Sequence, residues 1–273
     1  MTRMVNVGKR SGDGGISERT KVIAVCGVVA LLVAAIAGGL AYDSHRNAQA
    51  EAQVANVAPA TIDPATLPGN TARPSLTLPP NPRVLFVGDS FTEGHGADDK
   101  KTRGFAPRLA GIEGWTNYRV DGIGLTGFLR PGVNEESHRT YAERIQRAYE
   151  AGEPAPDLVI FQGGLNDSRY DSGPLFNAVR DTITQTRGYW PNTQIVLVGP
   201  MSYRSSLNKV NSAYSSAAAE TFAVYIDVNR NPIISKERSK ELSIADGWHP
   251  NDAGHQMIAE ALATRIAEFE PSQ

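Results

Sequence analysis

The sequence predicts an α/β protein, in which a mainly parallel five-stranded sheet is covered by helices on both faces and preceded by one apolar N-terminal helix. Three observations carry this expectation. From Arg83 onward, short apolar runs alternate with amphipathic stretches, as they do in chains that build a parallel sheet between helical layers. The first of these runs, Val84-Leu85-Phe86-Val87, is apolar throughout, which suits a strand buried on both faces. Residues 22–42 carry no charge and no proline and are dominated by Ala, Val, Leu and Ile.

Taken in order, residues 1–21 are polar and hold five cations, Arg3, Lys9, Arg10, Arg19 and Lys21, against two acids, Asp13 and Glu18. Residues 22–42 follow, and at about 1.5 Å per residue a helix of that length crosses the ~30 Å hydrocarbon core of a membrane. The cations before it predict a cytoplasmic amino end and an exported remainder. Ala48-Gln49-Ala50 offers a small-x-small cleavage site. The length of the apolar stretch and the polar Asp43, His45 and Arg46 before that site favour a retained anchor. Residues 43–82, rich in Ala, Pro, Thr and Asn, read as a disordered tether. The remaining residues, 83–273, suffice for one domain. Strands are expected at 84–87, 118–120, 158–162, 195–198 and 223–227. Helices are expected at 105–112, 141–151, 174–186, 206–220, 236–242 and 252–269, the last with an apolar stripe through Ile258, Leu262, Ile266 and Phe269.

Composition narrows the function. A net charge of −2 lacks the basic footprint of a nucleic-acid binder. The single cysteine, Cys26, cannot form an intrachain disulfide, and no Cys/His spacing suits zinc. Cys26 is read as a small residue of the apolar helix, because the residue before it, Val25, is not small and most of the apolar run follows it.

The residues with chemical potential sit at strand ends. Ser90 follows the first strand in Gly88-Asp89-Ser90, where open α/β sheets hold their ligands. A serine hydroxyl needs a base, a group to orient that base, and donors for a developing oxyanion. Among five histidines, His45 falls in the tether, His95 and His138 in polar loops, and His255 in the opening turn of the last helix. His249 lies in Asp246-Gly247-Trp248-His249-Pro250, and this Asp-x-x-His spacing can set a carboxylate beside an imidazole. The same residues would also suit an ordinary turn and a surface histidine. Asn166, in Gly163-Gly164-Leu165-Asn166-Asp167, can present an amide donor, although a simple turn fits the segment as well. The glycines of Gly122-Ile123-Gly124-Leu125-Thr126-Gly127 leave room for backbone N–H groups to approach a ligand.

These blocks, in this order, resemble the SGNH (GDSL-type) hydrolase family across the whole domain from Arg83. The resemblance implies a three-layer, flavodoxin-like fold and a serine esterase acting on carboxylic esters without metal or organic cofactor. It implies a nucleophile at Ser90, a base at His249 and its orienter at Asp246. Oxyanion donors would come from the Ser90 N–H, the Asn166 side chain and the glycine loop. Alignment of that loop on its nearest glycine gives Gly124, and alignment on its leading glycine gives Leu125. No G-x-S-x-G surrounds Ser90, so the nucleophile elbow of α/β-hydrolases is absent. Export and tethering suggest small-molecule, glycan or lipid esters of the cell envelope as substrates, with Tyr170, Tyr203 and Trp248 as candidate lining residues. An O-acyltransferase and a non-catalytic binding module on the same fold stay open as alternatives. No oligomeric state is implied.

Overall fold

The structure is a computed structural model, and it describes residues 74–133, 139–202 and 207–271. The expected membrane helix at 22–42, most of the tether, His138 and Tyr203 lie outside the described residues. Among the described residues no helix is long and apolar enough to cross a membrane.

Five strands, β1 (Arg83–Gly88), β2 (Asn117–Gly122), β3 (Leu158–Gln162), β4 (Gln194–Val198) and β5 (Val224–Ile226), form one sheet. Their order is β2-β1-β3-β4-β5 and every neighbouring pair is parallel. The helices described between and after them are α1 (Ser90–Glu93), α2 (Lys100–Arg103), α3 (Phe105–Ile112), α4 (Tyr141–Glu150), α5 (Ser172–Tyr189), α6 (Asn208–Thr221), α7 (Ser239–Leu242) and α8 (Asp252–Ala267).

Alternation along each strand divides the core into two layers. Phe86, Ile160, Val196 and Val224 form one row across the sheet. They pack with Phe105 and Leu109 of α3 and Ile258, Leu262 and Ile266 of α8. Val87, Phe161 and Leu197 form a row on the other face, against Tyr141 and Ile145 of α4, Val179 and Ile183 of α5, and Val210 and Tyr214 of α6. This is the three-layer arrangement the sequence predicts. The helices α1 and α2 were not anticipated. Four residues are too few to show a period, and each helix is set by an aspartate N-cap, Asp89 or Asp99, whose side chain accepts a backbone N–H of its first turn. At the other extreme, the helix expected at 236–242 shortens to α7.

One boundary is corrected. The sequence places residues 74–82 in the disordered tether, yet they lie on the domain. Leu76 is buried in the α3/α8 layer and its N–H donates to the Phe269 carbonyl (2.8 Å). Thr77 exchanges two hydrogen bonds with the Gln194 side chain (2.7 and 2.6 Å). One leucine among prolines disappears in a compositional average, but burying it is worth about 2 kcal/mol. Leu76→Ala is therefore expected to lower the unfolding free energy of the chain by about 2–3 kcal/mol in urea denaturation. A change under about 0.5 kcal/mol would place the segment off the domain.

The topology also locates the site. The chain runs from β1 out to β2 and then returns to the other side of β1 as β3. Strand order thus reverses at β1, and the crevice outside the carboxyl ends of β1 and β3 is where such sheets take their ligands.

Candidate active site

Ser90 opens helix α1 immediately past the end of β1. The preceding Asp89 is extended, and its carboxylate accepts the N–H of Phe91 (3.0 Å), so the chain turns sharply and the serine stands at the first helical position. Gly94, at φ +83°, ends the helix after one turn. Gly88 makes this tight junction possible, since a Cβ there would lie 2.0 Å from the Thr92 hydroxyl and 2.7 Å from the Gln162 carbonyl oxygen.

His249 arrives from the opposite end of the chain on a short hairpin. Ser243 bridges Pro250, Ile244 N–H donates to the His249 carbonyl (2.9 Å), and Gly247 at φ +65° makes the turn. Within it, Asp246 Oδ1 accepts the N–H groups of Trp248 (2.8 Å) and His249 (3.1 Å). Its Oδ2 lies 2.6 Å from His249 Nδ1. The other ring nitrogen, Nε2, lies 2.8 Å from Ser90 Oγ. His249 thus meets Ser90 across 159 residues of chain with Asp246 behind it, in the serine–imidazole–carboxylate relation that moves a hydroxyl proton. Burial alone would raise the Asp246 pKa. Hydrogen bonds from the His249 ring and from the two backbone N–H groups outweigh it and hold the carboxyl below its ordinary value, so it stays ionised beside the imidazole.

The loop after β2 lies against α1. A Cβ on Gly122 would sit 2.1 Å from the Glu93 nitrogen. Of the two candidate donors in this loop, the Gly124 N–H donates to Glu93 Oε2 (2.9 Å). Leu125 is the next residue, at φ +64°, a left-handed conformation that glycine adopts at least cost. The N–H groups of Ser90 and Leu125 donate to no group among the described residues. Asn166, past β3, gives one amide N–H to the Thr126 carbonyl (3.0 Å), which leaves its second for another acceptor. The N–H groups of Ser90 and Leu125 and the second amide N–H of Asn166 are thus the donors of these three loops that no described group engages.

Several polar residues that support this arrangement were not singled out in the sequence. Asp167 is fully buried and accepts the N–H groups of Phe128 (2.8 Å), Leu129 (3.2 Å) and Arg130 (3.0 Å). Arg144 is buried beneath the same loops, donating to the Gly88 carbonyl (3.1 Å) and the Thr126 hydroxyl (3.0 Å) and pairing with Asp121 (2.8 Å). Asp89 is buried, and this burial pushes its pKa up to about 7 against the Phe91 N–H that favours its ionised form. Asp89 and Asp167 lie within candidate blocks, but only burial distinguishes them from turn residues, and burial is a tertiary fact. Of the suggested lining residues, Trp248 remains substantially exposed next to His249.

His95 and His255 also belong to this region. The His95 ring meets that of His249 edge-on, with centroids 4.4 Å apart. His95, Asp246 and His249 bring three ligand-type atoms within 4.8 Å of one another. Both nitrogens of His249 already face partners, so a cation there would have to displace one of these bonds. His255, buried in α8, joins the His95 carbonyl (3.1 Å) to the Phe105 N–H (3.1 Å). Its Nδ1 must accept, so the ring is neutral, and burial lowers its pKa to about 4. The unfolded chain binds this proton near pH 6.5, so stability is present above that pH and is lost as pH falls toward 4. Urea denaturation is expected to show a loss of roughly 3 kcal/mol from this group between pH 7 and pH 4, and a shallower slope in His255→Gln.

Comparison with known proteins bears on the family of the chain. The family model for the GDSL-like lipase/acylhydrolase family matches residues 86–257. A GDSL lipase of Mycobacterium tuberculosis is 26% identical over 194 residues, covering 67% of this chain and 81% of its own. A cellulase/esterase of Acetivibrio thermocellus is 24% identical over 217 residues; the match covers 67% of this chain but only 25% of that larger protein. A carbohydrate esterase family 2 enzyme with a carbohydrate-binding domain, from Corynascus thermopiles, superposes with a TM-score of 0.55 at 19% identity, covering 72% of this chain and 68% of its own. The family match spans more than half of the sequence and encloses the end of β1 with Ser90, the loop after β2 and the Asp246–His249 hairpin alike, and on that ground the chain belongs to the GDSL-like lipase/acylhydrolase family.

Proposed function

We propose that the chain is a serine esterase that cleaves carboxylic esters through an acyl-Ser90 intermediate. The observation that carries this reading is the pair of contacts at His249, 2.8 Å to Ser90 Oγ and 2.6 Å to Asp246. His249 Nε2 takes the hydroxyl proton as Ser90 Oγ attacks the ester carbonyl carbon. The electron pair of the carbonyl moves to its oxygen, which the N–H groups of Ser90 and Leu125 and the Asn166 amide receive. Collapse of this intermediate expels the alcohol, which takes its proton from His249. Water then repeats the sequence on the acyl-serine, and the acid leaves. Asp246 holds the imidazole in the tautomer with Nε2 free and stabilises its protonated form.

The proposed substrate class is an acylated glycan or lipid of the cell envelope. The exposed Trp248 beside His249 offers an aromatic face to a sugar or an acyl group. The cellulase/esterase name of one relative supports glycans and the lipase name of the other supports lipids. We also propose that residues 22–42 anchor the chain in a membrane with its amino end cytoplasmic, leaving the catalytic domain outside; their uncharged length and the cations before them support this.

The test of the reaction is labelling of the full chain by a fluorophosphonate probe followed by peptide mapping. Modification confined to Ser90 is expected. Modification elsewhere, or none, would sink the nucleophile assignment. Acyl release from isolated envelope fractions, assayed separately for glycan and lipid fractions, identifies the substrate.

A further inference from the structure

Glu93 closes helix α1 three residues after Ser90, and its carboxylate reaches the loop that follows β2. Oε2 accepts the Gly124 N–H (2.9 Å), while Oε1 is ion-paired with Lys100 at the start of α2. The surrounding space is tight. A Cβ placed on Gly124 would lie 3.0 Å from Glu93 Oε2 and 3.7 Å from the Ser90 Cβ. Glu93 therefore ties the serine's own helix to the residue just before Leu125.

Leu125 needs such a tie. It occupies the left-handed region at φ +64° and is 45% exposed, so its own packing only partly holds it there. A non-glycine residue keeps that conformation only where its surroundings enforce it. The residues flanking it are held by Ile123 N–H to the Gly88 carbonyl (3.0 Å) and, at Thr126, by Asn166 to its carbonyl (3.0 Å) and Arg144 to its hydroxyl (3.0 Å). Between them, Gly124 is tied to helix α1, and its partner is the Glu93 carboxylate.

That partner brings an electrostatic conflict. A carboxylate bound to the loop that faces a developing oxyanion opposes the charge that loop must receive. Lys100 compensates for it, because its ammonium neutralises the carboxylate while leaving Oε2 free to accept. A charged acceptor makes the stronger bond to the backbone N–H, and the ion pair removes its field.

We propose that Glu93 is a positioning residue for ester cleavage, fixing through Gly124 the turn that presents the Leu125 N–H, with Lys100 as its neutralising partner. The proposal rests on the Ser90–His249–Asp246 esterase reading. It predicts different effects for losing the hydrogen bond and for losing the charge balance.

The test uses the full chain and steady-state hydrolysis of p-nitrophenyl acetate. Glu93→Ala is expected to lower kcat by about 10- to 100-fold, less than complete loss of an oxyanion donor, with KM within about twofold of wild type. Glu93→Gln, which keeps an acceptor for Gly124, is expected to restore kcat to within about threefold of wild type. Lys100→Met is expected to lower kcat by about three- to tenfold in the wild-type background and to have little effect in Glu93→Gln, a coupling read from the double-mutant cycle. Retention of kcat in Glu93→Ala, an equal fall in Glu93→Gln, or the same Lys100 effect in both backgrounds would overturn the proposal alone. If Glu93→Ala fails to fold, the Lys100→Met and Glu93→Gln cycle still decides. A wild-type chain without esterase activity would overturn the esterase reading, and this proposal with it.

Discussion

Ser90→Ala is expected to lower kcat for p-nitrophenyl acetate by about 10⁴-fold or more. The change removes the only atom of Ser90 that acts as a nucleophile in the proposed mechanism. It leaves the donors of Leu125 and Asn166, the Ser90 backbone N–H and the Asp246–His249 pair in place. Residual rate should therefore reflect binding and oxyanion stabilisation alone, with KM close to wild type. The fold should survive, because the one hydrogen bond that the structure gives the Ser90 hydroxyl is to His249. Thermal unfolding of the variant checks that point. Equal rates for the variant and the wild-type chain would show that hydrolysis does not pass through Ser90.

The second large effect is expected at Asn166. Its amide already gives one N–H to the Thr126 carbonyl, which orients the group and leaves the other free to donate. Asn166→Ala removes that donor and should reduce kcat by about 10²–10³-fold with KM little changed, a loss of about 3–4 kcal/mol in transition-state stabilisation. Asn166→Asp should be at least as severe, since an ionised carboxylate offers no donor to the Thr126 carbonyl or to the oxyanion and repels the latter. The two variants together separate donation from mere volume. A fall of less than threefold in Asn166→Ala, with the fold intact, would remove Asn166 from the donor set.

Much of the architecture was legible because it rests on local periodicity. Buried parallel strands must be apolar on both faces, so β1, β3 and β4 appeared as short apolar runs, and the boundaries of β3 and α3 were read to the residue. The edge strand β2 has its first three residues exposed and was read shorter than it is, because one-sided burial weakens the pattern. The four-residue helices had no period to detect, although their aspartate caps were visible. Leu76 escaped for a related reason. Its burial depends on the layer that α3 and α8 build far along the chain, which no local window contains.

The site divides along the same line. The sequence by itself determined the chemical types: a serine after the first strand, an aspartate and a histidine three residues apart, an asparagine after the third strand, and a glycine-rich loop after the second. Strand-end placement, which follows from parallel topology, was enough to set these groups on one edge of the sheet. Only the tertiary structure decided which groups were already engaged. Gly124 and Leu125 were equivalent in the sequence, because every non-proline residue carries an N–H. The Glu93 carboxylate, delivered by a helix from another part of the chain, takes the first of them and leaves the second. Likewise Asp89, Asp167 and Arg144 became distinguishable from surface charges only once burial set their surroundings. Hydrogen-bond occupancy and desolvation depend on groups distant in the chain, so neither can be read from the spacing of neighbours along it.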